Sequence, residues 1–353
     1  MTGLARILVA AASALVATLA PAAAGPAAAG GAAPLPRHYR AVPLTGISGD
    51  RVGAYAMNDR GQVVGHYEVA PDVLHPFLWQ RGRMTDLGVL ETGPEERGMA
   101  RDINAGGDVV GSSERGGRQR AVLWRRGRII ELGHLGSGSS YATAINDRGQ
   151  IIGTSYTVSG EPRGFIWERG RMRDLGVGGF TQPLDINNRG QVVGWSGRGV
   201  EGPQHAFLWR RGVVTWLPPG RGSRATAIND RGEIVGSIDD RIGEPVSHAV
   251  RWHRGRMTQL GALPGGNASS AVAINERGQV LGIGNVQPDL AWAHAFLYWR
   301  GTLRDLTPAG VPATVAYGAT DVNNRGQLLI GLAIYTPVRR HDRGIVLRST
   351  PMT

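Results

Sequence analysis

Asp102, Asp185 and Asp321 each stand two residues before an asparagine, in the settings Asp-Ile-Asn or Asp-Val-Asn. Carboxylates brought together from distant parts of a chain are the usual material of acid–base catalysis and of metal sites. These three lack the dense oxygen spacing of a calcium loop. The reading adopted is structural, with each carboxylate hydrogen-bonding a turn or an adjacent repeat. They remain the first acids to test for activity.

His75, His205, His248 and His294 share another recurring position, ahead of an apolar triplet. A metal needs imidazoles meeting at about 2.0–2.1 Å, and equivalent residues of successive repeats are spread too far apart for that. No metal and no cofactor is expected. Each imidazole is expected to hydrogen-bond backbone within its own repeat.

Arginine is more informative. One series of tight turns carries Arg60, Arg148, Arg189, Arg231, Arg277 and Arg325, and a second carries Arg81, Arg126, Arg169, Arg211, Arg254 and Arg300 with further arginines beside them. Up-and-down strand order places both series on one face, and a field of that sign attracts polyanions. Tyr67, Tyr156, Trp195, Trp292 and Tyr335 lie in or beside the loops joining second and third strands. Aromatic rings near such loops could stack on sugars.

The element that positions all of these is a repeat. Ala142–Gly153 reads ATAINDRGQIIG, and its asparagine recurs at Asn58, Asn104, Asn146, Asn187, Asn229, Asn275 and Asn323, in steps of 46, 42, 41, 42, 46 and 48 residues. A period of 40–50 residues signals a repeat architecture. Within a unit, a short strand of small residues meets Asn-Asp-Arg-Gly, which suits a type I turn closed by Gly at positive φ. A second strand, a longer loop, a third strand such as Phe165-Ile166-Trp167, a tight Arg-Gly turn and a fourth strand ending in leucine follow. Four short antiparallel strands per unit match a propeller blade. The fold expected is all-β, a seven-bladed β-propeller over residues 37–349. Its last unit has Asn323–Gly331 and a third strand at Gly344–Leu347 but no fourth. Tyr39–Leu44 reads as the missing strand, so the ring closes by the N-terminal strand completing the last blade and no sheet edge is left open.

The 353 residues include 54 Gly and no Cys, with a net charge of +11 in which every basic residue is Arg. Glycine without a triplet period points to many turns. The absence of Cys excludes disulfides and Cys-ligated zinc. The choice of Arg over Lys fits the coding bias of a GC-rich genome. Residues 1–24 combine Arg6, an apolar run of about 14 residues and an Ala22-x-Ala24 pattern, the layout of a cleaved signal peptide and shorter than a membrane span. Residues 25–36, all small or Pro apart from Leu35, read as a disordered spacer. The expected product is secreted, carries no transmembrane anchor and is a monomer.

His205-Ala206-Phe207 and His294-Ala295-Phe296, with His75-Pro76-Phe77 as a variant, accompany the Ile-Asn-x-x-Gly-Gln-Val-Val-Gly units. This combination resembles the HAF-repeat family of extracellular bacterial proteins over residues 38–349. The chain departs from it where Arg120, Arg163 and Arg343 replace the histidine. The resemblance implies export and a repeated β fold, and it lends no catalytic residues. Together these features point to a binding or interaction module at the cell surface or in the medium. Its expected partner is a glycan or an anionic cell-envelope polymer rather than nucleic acid. The alternatives are a propeller lyase or hydrolase acting on a polysaccharide or small natural product, and a self-assembling surface-layer component.

Overall fold

The computed structural model describes residues 39–46, 52–93, 96–136, 138–198, 202–240, 246–287, 293–307, 318–331 and 333–337. The signal peptide and spacer expected over 1–36 lie outside them, as do Trp292, Arg343 and Gly344–Leu347. The described residues form seven four-stranded antiparallel sheets. Sheet three shows the unit, in the order Ser140–Ile145, Ile151–Tyr156, Pro162–Glu168, Arg171–Asp174. Sheets one, two, four, five and six follow the same order over 52–86, 98–131, 180–221, 223–259 and 269–305.

Sheet seven differs from the expectation in one strand. Its members are Ala319–Val322, Leu328–Ile330, Ala333–Pro337 and, in the outermost place, Tyr39–Pro43. The third strand therefore starts at Ala333, not at Gly344. Ile330 pairs with Ala333 across a two-residue link, and shorter second and third strands than in the other sheets meet there. Tyr39–Pro43 pairs along its whole length with Ala333–Pro337.

The second strands of sheets one to six carry a glycine that sequence periodicity alone does not explain, and sheet seven has Ile330 in its place. The ladder between first and second strands slips by one residue in all seven sheets, for example between Ala142 and Ala144. That bulge presses the first strand's backbone against its neighbour. A Cβ at Gly65, Gly111, Gly153, Gly194 or Gly236 would overlap the carbonyl oxygen of Gly53, Met99, Tyr141, Gln182 or Arg224. The glycine of Val-Val-Gly is there for close approach.

Cores lie between successive sheets. Val110, Ala121, Leu123 and Leu132 of sheet two pack on Ala142, Ile145, Ile151 and Phe165 of sheet three. Leu329 of sheet seven and Leu44, just past its outermost strand, pack on Ala54, Met57, Val63, Phe77 and Trp79 of sheet one. Phe77, Phe165, Phe207 and Phe296 are fully buried, each worth about 3 kcal/mol of apolar transfer. The third-strand tryptophans clasp the sheet before them: Trp124 Nε1 donates to the Gly88 carbonyl at 3.0 Å and Trp209 Nε1 to Leu175 at 2.9 Å. Trp79 does the same to Thr45, at 3.0 Å.

The repeated asparagine is buried in every unit. In sheet four, Asn187 Oδ1 accepts from the backbone of Arg189 and Gln191, both at 3.0 Å, which holds the turn. Its Nδ2 donates to Gln191 Oε1 at 2.9 Å and across to the Asn229 carbonyl at 3.0 Å. The side chain thus fixes its own turn and ties it to the next. Replacing Asn187 with Ala leaves two amides and a carbonyl unpaired, so we expect a loss of about 3 kcal/mol. Asn187→Asp keeps the acceptor and should lose less. Denaturant melts of both variants check the order.

Candidate functional site

The arginines are placed by turn chemistry. In the first-to-second strand turns, the backbone N–H of Arg60, Arg148, Arg189, Arg231, Arg277 and Arg325 donates to the asparagine two residues earlier at 3.0–3.1 Å. In the third-to-fourth strand turns, Arg81, Arg126, Arg169, Arg211, Arg254 and Arg300 have φ of 49–52°, each followed by a glycine at positive φ. This is the type I′ pattern, which favours Asn, Asp or Gly at the first position. Left-handed backbone costs other residues about 1–2 kcal/mol. Six sheets accept that cost with the same residue.

Both series meet at one cavity of about 470 Å³, lined by Arg189, Arg231, Glu233, Arg251, His253, Arg254, Arg277, Gly278, Trp299 and Arg300. The first-turn and second-turn arginines therefore share a face, as strand order implies. Glu233 pairs with Arg231 at 3.0 Å and with Arg251 at 3.4 Å. Arg300 lies over the Trp299 ring at 4.8 Å.

The residue after each repeated asparagine builds a different surface. Asp147 Oδ1 accepts from Ala105 N at 2.8 Å, Asn188 from Asp147, Asp230 from Asn188, Glu276 from Asp230, Asn324 from Glu276 and Asp59 from Asn324, the last five at 2.7–2.8 Å. Ala105 interrupts the series, having no side-chain acceptor. These residues and the asparagines line a cavity of about 200 Å³ to which all seven sheets contribute. The acids on this rim are held by structural hydrogen bonds, while the arginine cavity contains one carboxylate.

Asp102, Asp185 and Asp321 sit on the first strands of sheets two, four and seven. Each carboxylate accepts from the next residue's N–H, in Ile103, Ile186 and Val322, at 2.7 Å. Each also accepts from the following sheet, at Ile145, Ile228 and Met57, at 2.7–2.8 Å. Three two-pronged acceptors thus serve six of the seven equivalent amides, leaving Ile274. A carboxylate on every sheet would duplicate acceptors and crowd like charges, which explains the alternation with alanine. Burial pushes Asp102 up to about 6 and Asp185 and Asp321 up to about 7, against the lowering effect of those amides, with Asp185 also raised by the charge of Asp102 and Asp321 by those of Asp102 and Asp185. Their side chains keep part of their surface open.

The aromatics occupy strands more than loops. Tyr67 is buried, its hydroxyl donating to Asp86 Oδ2 at 2.9 Å. Trp195 is 7% exposed and stacks on Phe180 at 5.4 Å. Tyr156 ends the second strand of sheet three, half-buried. Tyr335 lies in the third strand of sheet seven. The structure does not bring these residues into one site.

Three of the four histidines bind carboxylates and not backbone, a correction to the expectation. His75 Nδ1 meets Asp86 Oδ2 at 2.7 Å and His294 Nδ1 meets Asp305 Oδ2 at 2.9 Å. The acid stands eleven residues on, facing the histidine from the fourth strand. Although burial raises Asp86, bonds from His75, Gly88 N–H and Tyr67 bring it below the usual range. Arg120 and Glu131 keep the same spacing, at 3.7 Å. In sheet four the acid's place holds Trp216, whose ring packs edge-on to His205 at 5.7 Å. In sheet five it holds Gln259, and His248 turns to Asp240 at 2.7 Å. The constant spacing was visible in the sequence. Among the described residues no group of three or more His, Asp or Glu is arranged to hold a metal, and no helix is long and apolar enough to cross a membrane.

No family model matches the sequence, nor does any curated protein. Solved structures do resemble the fold. The β-propeller domain of the Trilobed protease from Pyrococcus furiosus, described as having an open velcro topology, superposes with a TM-score of 0.51 at 9% identity, covering 80% of this chain and 94% of that one. Acylaminoacyl peptidase from Pyrococcus horikoshii gives 0.50 at 10% identity, covering 84% and 52%. TolB from Acinetobacter baumannii gives 0.44 at 14%, covering 60% and 54%, so this chain spans about half the length of that protein. These likenesses concern the fold alone. The protein is a β-propeller repeat protein built of four-stranded antiparallel sheets.

The raised aspartates make a testable pH dependence. Between the unfolded-chain value near 3.9 and the folded values of about 6 and 7, the folded state keeps protons that the unfolded chain has released. Stability from these groups is therefore greatest at low pH and falls as pH rises through that window. The open part of each side chain moderates the effect. Between pH 5 and 8 the melting temperature should fall by roughly 3–6 °C, and by less in Asp185→Asn. A larger fall in the variant would contradict this origin.

Proposed function

We propose that the chain is a secreted, seven-bladed β-propeller of the HAF-repeat type, closed into a ring by its N-terminal strand, that acts as a binding module for an anionic polymer of the cell envelope. The single observation that carries the functional reading is the arginine-lined cavity, where both turn series converge around one carboxylate. Charge so concentrated and so weakly neutralised raises the local concentration of anions. The enzymatic alternative loses support because the inner-strand acids are engaged with backbone amides. The glycan alternative loses support because Trp195 is covered by its own neighbour.

Ring closure is supported by bonds that link sheet seven to sheet one in the same way as other neighbours. Asn323 Nδ2 donates to the Asn58 carbonyl at 3.2 Å, Met57 N donates to Asp321 at 2.7 Å, and Trp79 clasps Thr45 as Trp124 clasps Gly88. Export is read from the Arg6 and apolar-run layout of residues 1–24.

Two measurements test these readings. Deleting residues 37–44 removes the outermost strand of sheet seven together with Leu44, and should lower the melting temperature by about 10 °C or more. An unchanged melt would refute closure. For function, the purified chain should be retained on dextran sulfate beads at 50 mM salt and released by 500 mM, but not retained on uncharged dextran. Replacing Arg60, Arg148, Arg189, Arg231, Arg277 and Arg325 with Gln should reduce retention at least tenfold. Retention that ignores salt would be incompatible with the proposal.

A further inference from the structure

A repeat protein carries its own control, since every position can be compared with its equivalents in the other units. Sheets five and six break the pattern at several positions, and those positions meet. The residue before the third-strand tryptophan is Leu78, Leu123, Ile166 and Leu208 in sheets one to four, and the matching residue in sheet six is Leu297. In sheet five it is Arg251. The residue closing the asparagine turn is Gln62, Gln150, Gln191, Gln279 or Gln327 in five units, Asp108 in sheet two and Glu233 in sheet five. Trp299 occupies the place of Gln80 and Glu168, and His253 occupies that same place in sheet five. Arg251, Glu233, His253 and Trp299 all line the 470 Å³ cavity.

These changes gather charged and hydrogen-bonding groups at one place, where Trp299 Nε1 also donates to the Arg277 carbonyl at 3.3 Å. Arg251 puts a charge where an apolar side chain would pack, and a charge in such a place needs a partner. Glu233 supplies one, reaching Arg251 at 3.4 Å and Arg231 at 3.0 Å, and also accepts from Asn229 Nδ2 at 2.7 Å. One carboxylate is thus shared between two guanidinium groups. His253 Nδ1 is buried without a hydrogen-bond partner. Among the described residues no carboxylate pairs with Arg189, Arg254 or Arg277. A cavity lined by six arginines against one carboxylate is built for an occupant that brings several negative charges.

We propose that this cavity is a specific site for consecutive phosphate groups, resting on the reading of the arginine face as an anion-binding surface. A terminal phosphate presents three free oxygens and up to two charges, and each internal phosphate of a chain adds two free oxygens and a full charge, so several guanidinium forks can converge on neighbouring groups. A carboxylate offers two oxygens and one charge. The lining arginines come from sheets four, five and six in succession, which gives the site the length to take more than one phosphate along a chain. The cavity volume also exceeds that of a single oxyanion.

The test is calorimetric titration of the purified chain with sodium tripolyphosphate, with citrate as the carboxylate comparison. Tripolyphosphate should bind with one-to-one stoichiometry and at least tenfold tighter than citrate. Arg251→Leu restores the residue type of the other repeats, so it should fold; paired with Arg277→Ala it should weaken binding at least tenfold. Arg60→Ala, Arg148→Ala and Arg325→Ala together, on the same face outside the cavity, should change it by no more than twofold. Equal weakening in both variants would overturn the specific site while leaving the anionic-surface reading intact. Citrate binding as tightly as tripolyphosphate would overturn the phosphate assignment. Failure of the wild-type chain to bind both tripolyphosphate and dextran sulfate would overturn both readings together.

Discussion

One hydrogen bond recurs through the whole structure, from the side-chain amide of each repeated asparagine to the backbone carbonyl of the next. It runs from Asn58 to Asn104, to Asn146, to Asn187, to Asn229, to Asn275, to Asn323 and back to Asn58. Each donor is also the residue whose Oδ1 shapes its own turn, so local turn geometry and sheet-to-sheet spacing are set by the same side chain. An amide can do both because it carries a donor and an acceptor on one planar group. Serine would lack the reach and aspartate would lack the donor. The bonds are buried, where an unmade partner is costly, and that cost holds the sheets to one spacing despite interface residues that vary from unit to unit.

That constraint decides which charges are available for function. The acids next to the asparagines and on the first strands are committed to backbone amides, and Asp102, Asp185 and Asp321 each hold amides of two sheets on one carboxylate. The turn arginines have no such duty: their backbone is fixed, and their side chains project from positions where the turn needs only the main chain. A uniform repeat would spread this charge evenly. The cavity between sheets four and six is instead concentrated by the residues that break the repeat, and so it differs in kind from the diffuse field around it.

Much of this was legible in the sequence because it is local. The turn of Asn-Asp-Arg-Gly, the glycine at positive φ, the strand order and the leucine ends all follow from short-range rules, and the strand order in turn puts the two arginine series on one face. The role of Asp102, Asp185 and Asp321 was legible only in kind. Their partners lie on the next sheet, and nothing in a strand's own residues says which amide of a neighbour lacks an acceptor. The last unit was misread for the opposite reason: Gly344–Leu347 fits the strand pattern better than Ala333–Pro337, but a two-residue hairpin keeps the nearer segment paired. The histidine partners were missed although His75 and Asp86, His294 and Asp305, and Arg120 and Glu131 stand at one spacing, because the fourth strands were read only for their leucines.

Arg251 was also visible, as the one charged member of an apolar column, and its meaning needed the cavity. In a single-domain fold without repeats, a half-buried arginine beside a glutamate would pass as a structural ion pair. Here five sister positions show what the fold uses when it asks only for packing, and each is leucine or isoleucine. Stability is a weak account of the ion pair, because replacing such pairs with well-packed apolar groups is often neutral or favourable. Glu233 makes the point from the other side, since the glutamine it replaces meets the turn asparagine just as well. A charge placed in the apolar column and the carboxylate that meets it, both on the wall of one cavity, are accounted for by what the cavity holds.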